Sequence, residues 1–179
     1  MLNIIVAHCK NRGIGIAGNL PWYLPDDLKK FKKLTSGMGN NAVIMGRKTW
    51  ESLPNKPLRK RTNIVVSKTL DRDKELGLNI KRSLFDAIDY LEYSEVNEGW
   101  IIGGSEIYNL ALKDYYIDNI FVTEIDAEFK CDKFFDKIPS NFSLKEKSEW
   151  YKLHSFNYRY MHYVNKDKKP DSCGKGYCP

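Results

Sequence analysis

Apolar positions in this chain come in short runs, and runs of strand character alternate with runs of helical character. Residues 2–8 (LNIIVAH) are almost continuously apolar over a strand's length, as in a strand covered on both faces. Residues 25–35 place apolar side chains at helical spacing behind Pro25, whose missing N–H costs nothing in a first helical turn. A Gly/Asn-rich turn at 37–41 leads to a strand at 42–45, and residues 46–53 read as helix until Pro54. Strands at 63–67 and, more weakly, 79–81 precede a helix at 84–93, and a buried strand at 99–102 runs through Gly103-Gly104 into a helix at 105–112. Such alternation predicts an α/β domain with a mainly parallel sheet and helices on its faces. Residues 117–125, 129–135, 142–150 and 154–164 instead alternate polar and aromatic side chains, the pattern of antiparallel strands. The polar segment 165–179 reads as a mobile or loosely docked tail beyond a domain at 1–164.

Helical phase singles out one carboxylate. Asp27 shares a stripe with Phe31 and Leu34, with Leu28 beside them, whereas Asp26 points among Lys29, Lys30 and Lys33. A carboxylate facing the interior needs partners or keeps its proton, which makes Asp27 a candidate proton donor. The competing reading is a helix-terminal acid that complements the macrodipole and the free first-turn N–H groups.

Composition narrows the classes. A chain of 179 residues with 42% hydrophobic positions suits one domain. No apolar run approaches the ~20 residues of a membrane span, and the N-terminus lacks the pattern of a secretory signal, so a cytoplasmic protein is expected. Cys9, Cys131, Cys173 and Cys178 are too scattered for a disulfide framework, and none has the neighbours that a structural metal site requires. The net charge of +6 attracts anions. Lysine is spread along the chain and no nucleic-acid motif occurs, so a phosphorylated cofactor or an acidic small molecule fits better than nucleic acid.

Gly13-Ile14-Gly15-Ile16-Ala17-Gly18 matches a dinucleotide fingerprint literally, but Pro21 and Pro25 follow and prevent a helix from starting on the glycines. The segment reads instead as a flexible flap, with Leu20 and Trp22 near its end, leading to the Asp27 helix. Better phosphate sites are the strand-to-helix turns Gly46-Arg47-Lys48-Thr49 and Gly103-Gly104-Ser105, where free N–H groups can meet an anion. Arg47 and Lys48 oppose the helix dipole, and Lys68 reaches the same region if strands 42–45 and 63–67 are neighbours.

Together, Ile14-Gly15, Leu20-Pro21-Trp22, Leu24-Pro25-Asp26-Asp27-Leu28 with Phe31-Lys32, Met45 to Ser52, Ile102-Gly103-Gly104 with Tyr108, and Thr123-Glu124-Ile125 resemble the dihydrofolate reductases, colinearly over 2–164. The resemblance implies an eight-stranded sheet, seven strands running one way and the last antiparallel, flanked by helices. It implies a monomer that reduces 7,8-dihydrofolate with NADPH, with no metal.

On the same resemblance, Asp27 and Thr123 would bind the pterin edge, Trp22 would hold a water there, and Ile5, Val6, Ala7 and Ile102 would line the pterin and nicotinamide pocket. Leu28, Phe31, Lys32, Leu53 and Leu58 would flank the benzoyl group, and Arg61 would take the glutamate carboxylate. Ala7, Ile14, Gly15, Asn19, Leu20, Gly46, Arg47, Lys48, Thr49, Ser67, Lys68, Ile102, Gly103, Gly104, Ser105, Glu106, Ile107 and Tyr108 would surround the cofactor, with the Gly103-Gly104 peptide cis. Two positions depart from the family: Glu106 stands where some relatives carry a base, and Arg59-Lys60-Arg61 replaces the commoner Pro-Gly-Arg. A riboflavin-pathway pyrimidine reductase shares the Gly-Gly turn, but its ribityl phosphate substrate needs neither a benzoyl cleft nor Arg61.

Overall fold

A computed structural model describes residues 1–70, 78–153 and 155–167. Strand β1 (Leu2–Cys9) lies at the centre of the sheet, followed by a short β2 (Gly13–Gly15) and helix α1 (Pro25–Ser36). Then come β3 (Asn41–Gly46), α2 (Arg47–Ser52), β4 (Arg61–Val66), β5 (Asn79–Lys81), α3 (Leu84–Glu92), β6 (Gly99–Ile101) and α4 (Ser105–Asp114). Strands β7 (Asn119–Ile125), β8 (Lys133–Phe134), β9 (Phe142–Lys147), β10 (Tyr151–Leu153) and β11 (Phe156–Asn165) complete the described chain.

Local chemistry sets several of these boundaries. Pro25 occupies the first turn of α1 with Asp26 and Asp27, and Gly37 ends the helix in a positive-φ conformation (49°), returning its N–H to Lys33 O. A capping box between Ser83 and Asp86 opens α3.

The main sheet runs β10-β11-β7-β1-β6-β3-β4-β5, with β9 also on β11. Strands β1 and β3 to β7 pair in parallel, and β11 is antiparallel to β7. Because β9 and β10 both lie antiparallel along β11, they form one interrupted edge, and nine strands fill eight positions. That is the predicted eight-stranded arrangement. Expected strand 129–135 is corrected to two residues, Lys133–Phe134, which leave the main sheet and pair with Gly13–Gly15.

Alternation along the strands sends side chains to two cores. Ile4, Val6, Ile44, Ile101 and Val122 pack with Leu84, Ile88, Ile107 and Ala111 of α3 and α4. On the other face, Val43, Met45, Val65 and Trp100 pack with Trp50 of α2, and Ile5, Leu34, Leu53, Leu58 and Ile102 border that cluster. Asn165 Nδ2 donates to Ile117 O at 3.0 Å, and the Tyr116 hydroxyl donates to Asp167 O at 2.7 Å. The rest of the predicted tail, with Cys173 and Cys178, lies outside the described residues. Among the described residues, no helix is long and apolar enough to cross a membrane, and no cluster of metal-binding side chains occurs.

Candidate active site

The sheet opens at its centre. Parallel pairing of β1 with β6 stops at Ile4↔Ile101, while β1 and β7 remain paired to Cys9↔Ile125. Ile102 N–H turns away to Ile44 O at 3.0 Å. The resulting cleft lies beyond the carboxyl ends of the strands, where the chain order switches sides, the usual ligand position in open α/β sheets. Ile5, Ala7 and Ile102 are only partly buried there, although Ile4, Val6 and Ile101 beside them are buried. Val6 faces the α3/α4 core, so only its main chain borders the cleft, a correction to its expected place in the lining. The buried Tyr108 closes one wall, its hydroxyl donating to Ile5 O at 2.8 Å.

Asp27 enters this cleft from the first turn of α1. Its Oδ1 accepts a 2.5 Å hydrogen bond from Thr123 Oγ1 on β7. Burial raises the Asp27 pKa above the ordinary carboxylate value, against the opposing effects of the Thr123 hydrogen bond and the Lys30 charge. Asp26 instead faces solvent and pairs with Lys29 at 3.1 Å, so adjacent acids have different environments. Trp22 is buried against Phe129, with ring centroids 5.5 Å apart.

The glycine segment is less free than expected. Besides the β2–β8 pairing, Ala17 N–H bonds Asp132 Oδ2 at 3.0 Å, and Ile16 and Asn19 bridge each other. Ile14 packs against the core, Gly15 is buried, and Leu20 is 53% exposed at the tip.

Along α1, Leu28 is 49% exposed and Phe31 partly buried, while Leu53 and Leu58 border the core on the α2 side of the sheet. Arg61, at the start of β4, lies 5.8 Å from the Phe31 ring centroid and donates from Nη1 to Thr35 Oγ1 at 2.8 Å. Its register is therefore fixed despite the unusual Arg59-Lys60 before it. A residue the sequence reading missed does the fixing: buried Asn63 accepts from Leu58 N–H at 2.9 Å and donates to Leu58 O and Arg61 O at 2.9 and 2.8 Å. Its only sequence signal was a polar residue inside an apolar strand. Lys32 is exposed.

Across the cleft, Gly46 N–H bonds Gly103 O at 2.8 Å, bringing the two strand-to-helix turns together. The Gly103-Gly104 peptide is cis. Gly103 has a φ of 108°, and a Cβ there would come within 2.9 Å of the Tyr108 ring; at Gly104 it would stand 3.3 Å from Thr49 Oγ1, and at Gly46 3.2 Å from Ile107. Bare main chain at this junction, next to the N-terminus of α4 at Ser105, fits the close approach of a pyrophosphate.

Strands β3 and β4 are neighbours, as the Lys68 expectation required, and Lys48, Lys68 and Glu106 are exposed. Arg47 already pairs with Glu51 at 2.8 Å. Ser67 is buried, its hydroxyl accepting from Thr69 and Leu70 N–H at 3.2 and 2.9 Å, so it shapes the turn that displays Lys68. Arg82, which the sequence reading passed over, bonds Ser67 O and Leu70 O at 3.0 Å each and adds a cation to this rim.

Comparison with known proteins agrees with this geometry. The family profile for dihydrofolate reductase matches residues 1–165. The chain is 42% identical over 147 residues to a dihydrofolate reductase of Heliothis virescens, covering 76% of this chain and 80% of that protein. It is 43% identical over 148 residues to the Gallus gallus dihydrofolate reductase, covering 76% and 78%. It is 35% identical over 171 residues to a bifunctional dihydrofolate reductase-thymidylate synthase of Paramecium tetraurelia, covering 95% of this chain and 36% of that protein. The profile match, these identities and the acid-bearing cleft at the open centre of the sheet lead to one assignment: the chain belongs to the dihydrofolate reductase family.

Proposed function

We propose that Asp27, hydrogen-bonded to Thr123, holds the pterin edge of dihydrofolate in the cleft between β1 and β6, where Ala7, Ile102 and the glycine turns would hold the reduced cofactor. The reaction is reduction of 7,8-dihydrofolate to 5,6,7,8-tetrahydrofolate by an NADPH-dependent dihydrofolate reductase. NADPH, when bound, supplies the hydride, which reaches C6 of the pterin, and a proton reaches N5. The observation that carries the residue assignment is the Asp27–Thr123 pair, an acid held across the cleft from a junction of bare main chain.

Ile5, Ala7, Ile102 and the main chain of Val6 align the two rings, and Tyr108 fixes the Ile5 carbonyl. Asp27 raises the basicity of the bound pterin, and a water held near Trp22 and gated by the segment ending at Leu20 delivers the proton. Leu28, Phe31, Leu53 and Leu58 grip the benzoyl ring, and Arg61 takes the glutamate carboxylate. Gly103, Gly104, Ser105 and Thr49 receive the pyrophosphate, and Arg47, Lys48 and Lys68 the remaining phosphate charge. We read residues 1–164 as the catalytic domain with a polar tail at 165–179, working as a cytoplasmic monomer without nucleic acid.

The test follows NADPH absorbance with purified protein and dihydrofolate, running NADH in parallel. Dihydrofolate-dependent oxidation that is much faster with NADPH is expected. Folded protein that oxidises neither cofactor in response to dihydrofolate would overturn the reading.

A further inference from the structure

Lys30 is placed by helical phase with Asp26 on the solvent side of α1, but its ammonium does not stay there. Nζ sits 3.4 Å from the centroid of the Tyr160 ring on β11. Tyr160 lies directly across from Thr123 in the β11–β7 ladder, and Thr123 holds the Asp27 carboxylate. Residues Asp27 and Lys30 are also one turn apart on α1, so helix, β7 and β11 close a ring around the acid. The Tyr160 ring is itself fixed, with Tyr158 and Tyr151 centroids at 5.6 and 5.7 Å.

Resting on the assignment of Asp27 to the pterin, we infer that Lys30 is a positioning residue: its ammonium, anchored on Tyr160 one helical turn from Asp27, biases that carboxyl toward the ionised form in which it meets the substrate. Among the described groups facing Asp27, Lys30 is the cation. From α1, Asp26 is engaged by Lys29 in solvent. From β7, Thr123 contributes a neutral hydroxyl whose hydrogen bond favours the ionised carboxylate more than Lys30 does, and from α4, Tyr108 is a buried neutral phenol whose proton is committed to Ile5 O. Burial holds the phenols of Tyr158 and Tyr160 on β11 above their ordinary values, so they are neutral at physiological pH. Glu146 of β9 acts on Lys30 rather than on Asp27, and His162 of β11, held below its ordinary value by burial, bonds Asn119 at 2.9 Å. Lys30 is the positive charge that opposes the burial of Asp27.

The experiment titrates the Asp27 carboxyl by carboxyl-carbon NMR in the whole protein and, in parallel, records the pH profile of turnover. Proton uptake makes the rate fall at high pH, so a less acidic Asp27 carries that limb upward. Lys30→Met should move both curves to higher pH and raise the rate on the alkaline limb about three- to tenfold, the scale of losing a partly screened opposite charge. Lys30→Arg should restore the wild-type curves. In an Asp27→Asn background, Lys30→Met should leave the profile where Asp27→Asn alone puts it.

An unshifted carboxyl titration in Lys30→Met, an Arg variant that shifts as far as Met, or a limb that still moves without Asp27 would overturn the inference. Failure of the Asp27 assignment looks different: Asp27→Asn would keep wild-type kinetics while the carboxyl titration still responded to Lys30.

Discussion

On the α1 side of the cleft the polar groups are side chains already held by other side chains, whereas on the α2 and α4 side they are main-chain surfaces with cations at the rim. Asp27 is bonded by Thr123, and Arg61 by Thr35 with Phe31 beneath it. Opposite them, Gly46, Gly103 and Gly104 bring bare main chain together without side chains, while Lys48 and Lys68 are exposed. Under the proposed assignment, the α1 side should be sensitive to removal of a functional group and the α2 and α4 side to addition of bulk.

The largest effect should come from Asp27→Asn, which keeps the shape and the Thr123 hydrogen bond but removes the acid. Turnover at neutral pH should fall by roughly 10²–10⁴-fold, the scale of a general acid–base group. Stability should move the other way. The folded-state pKa of Asp27 is raised, so the folded protein binds the proton more tightly, and ionised Asp27 costs stability above that pKa. Asp27→Asn should raise the melting temperature at pH ~7, and the gain should vanish below the unfolded carboxyl value near ~3.9. Equal melting curves at both pH values would remove the burial argument.

Next is Gly103→Ala on the opposite side. Its φ of 108° is unfavourable for any other residue, and the new Cβ would press on Tyr108 at 2.9 Å. A loss of about 2–4 kcal/mol in denaturant unfolding is expected, together with weaker NADPH binding. Gly104→Ala has no positive φ to strain and meets only Thr49 Oγ1 at 3.3 Å, so it should cost far less. Similar losses in the two variants would remove the strain argument at Gly103. Arg61→Met should follow, raising KM for dihydrofolate about 10–100-fold with little change in kcat, as for a lost charge-assisted hydrogen-bond pair.

Sequence reading found the framework because each part has an obligatory pattern. Parallel strands buried on both faces must be apolar, as 2–8 and 42–45 are, and Pro25 in a first helical turn marks where the helix at 25–35 begins. The phase of Asp27 was legible for the same reason. Val6, expected in the lining, was misplaced against that same pattern, since a two-residue period puts its side chain opposite those of Ile5 and Ala7.

What was hidden depends on tertiary partners. The β2–β8 pairing involves too few residues to carry a period, and Asn63 shows no sign in sequence that its amide clamps Leu58 and Arg61. Lys30 was misplaced because helical phase gives the direction of Cβ, whereas a long side chain can carry its charge onto a neighbouring ring.

The smallest effect sharpens the comparison at the rim. Arg47 opposes the dipole at the start of α2, yet Glu51 one turn later partly neutralises it in an exposed pair. Such a pair is worth only ~0–1 kcal/mol, so an arriving phosphate can recruit the guanidinium at little cost. Arg47→Ala should therefore weaken NADPH binding about three- to tenfold at low salt, leave dihydrofolate KM unchanged, and have less effect as ionic strength rises. Glu51→Gln releases the same guanidinium and should do the reverse, tightening NADPH modestly. If both substitutions weakened binding equally, the pair would act as one structural unit and the rim would share the preorganisation of the α1 side.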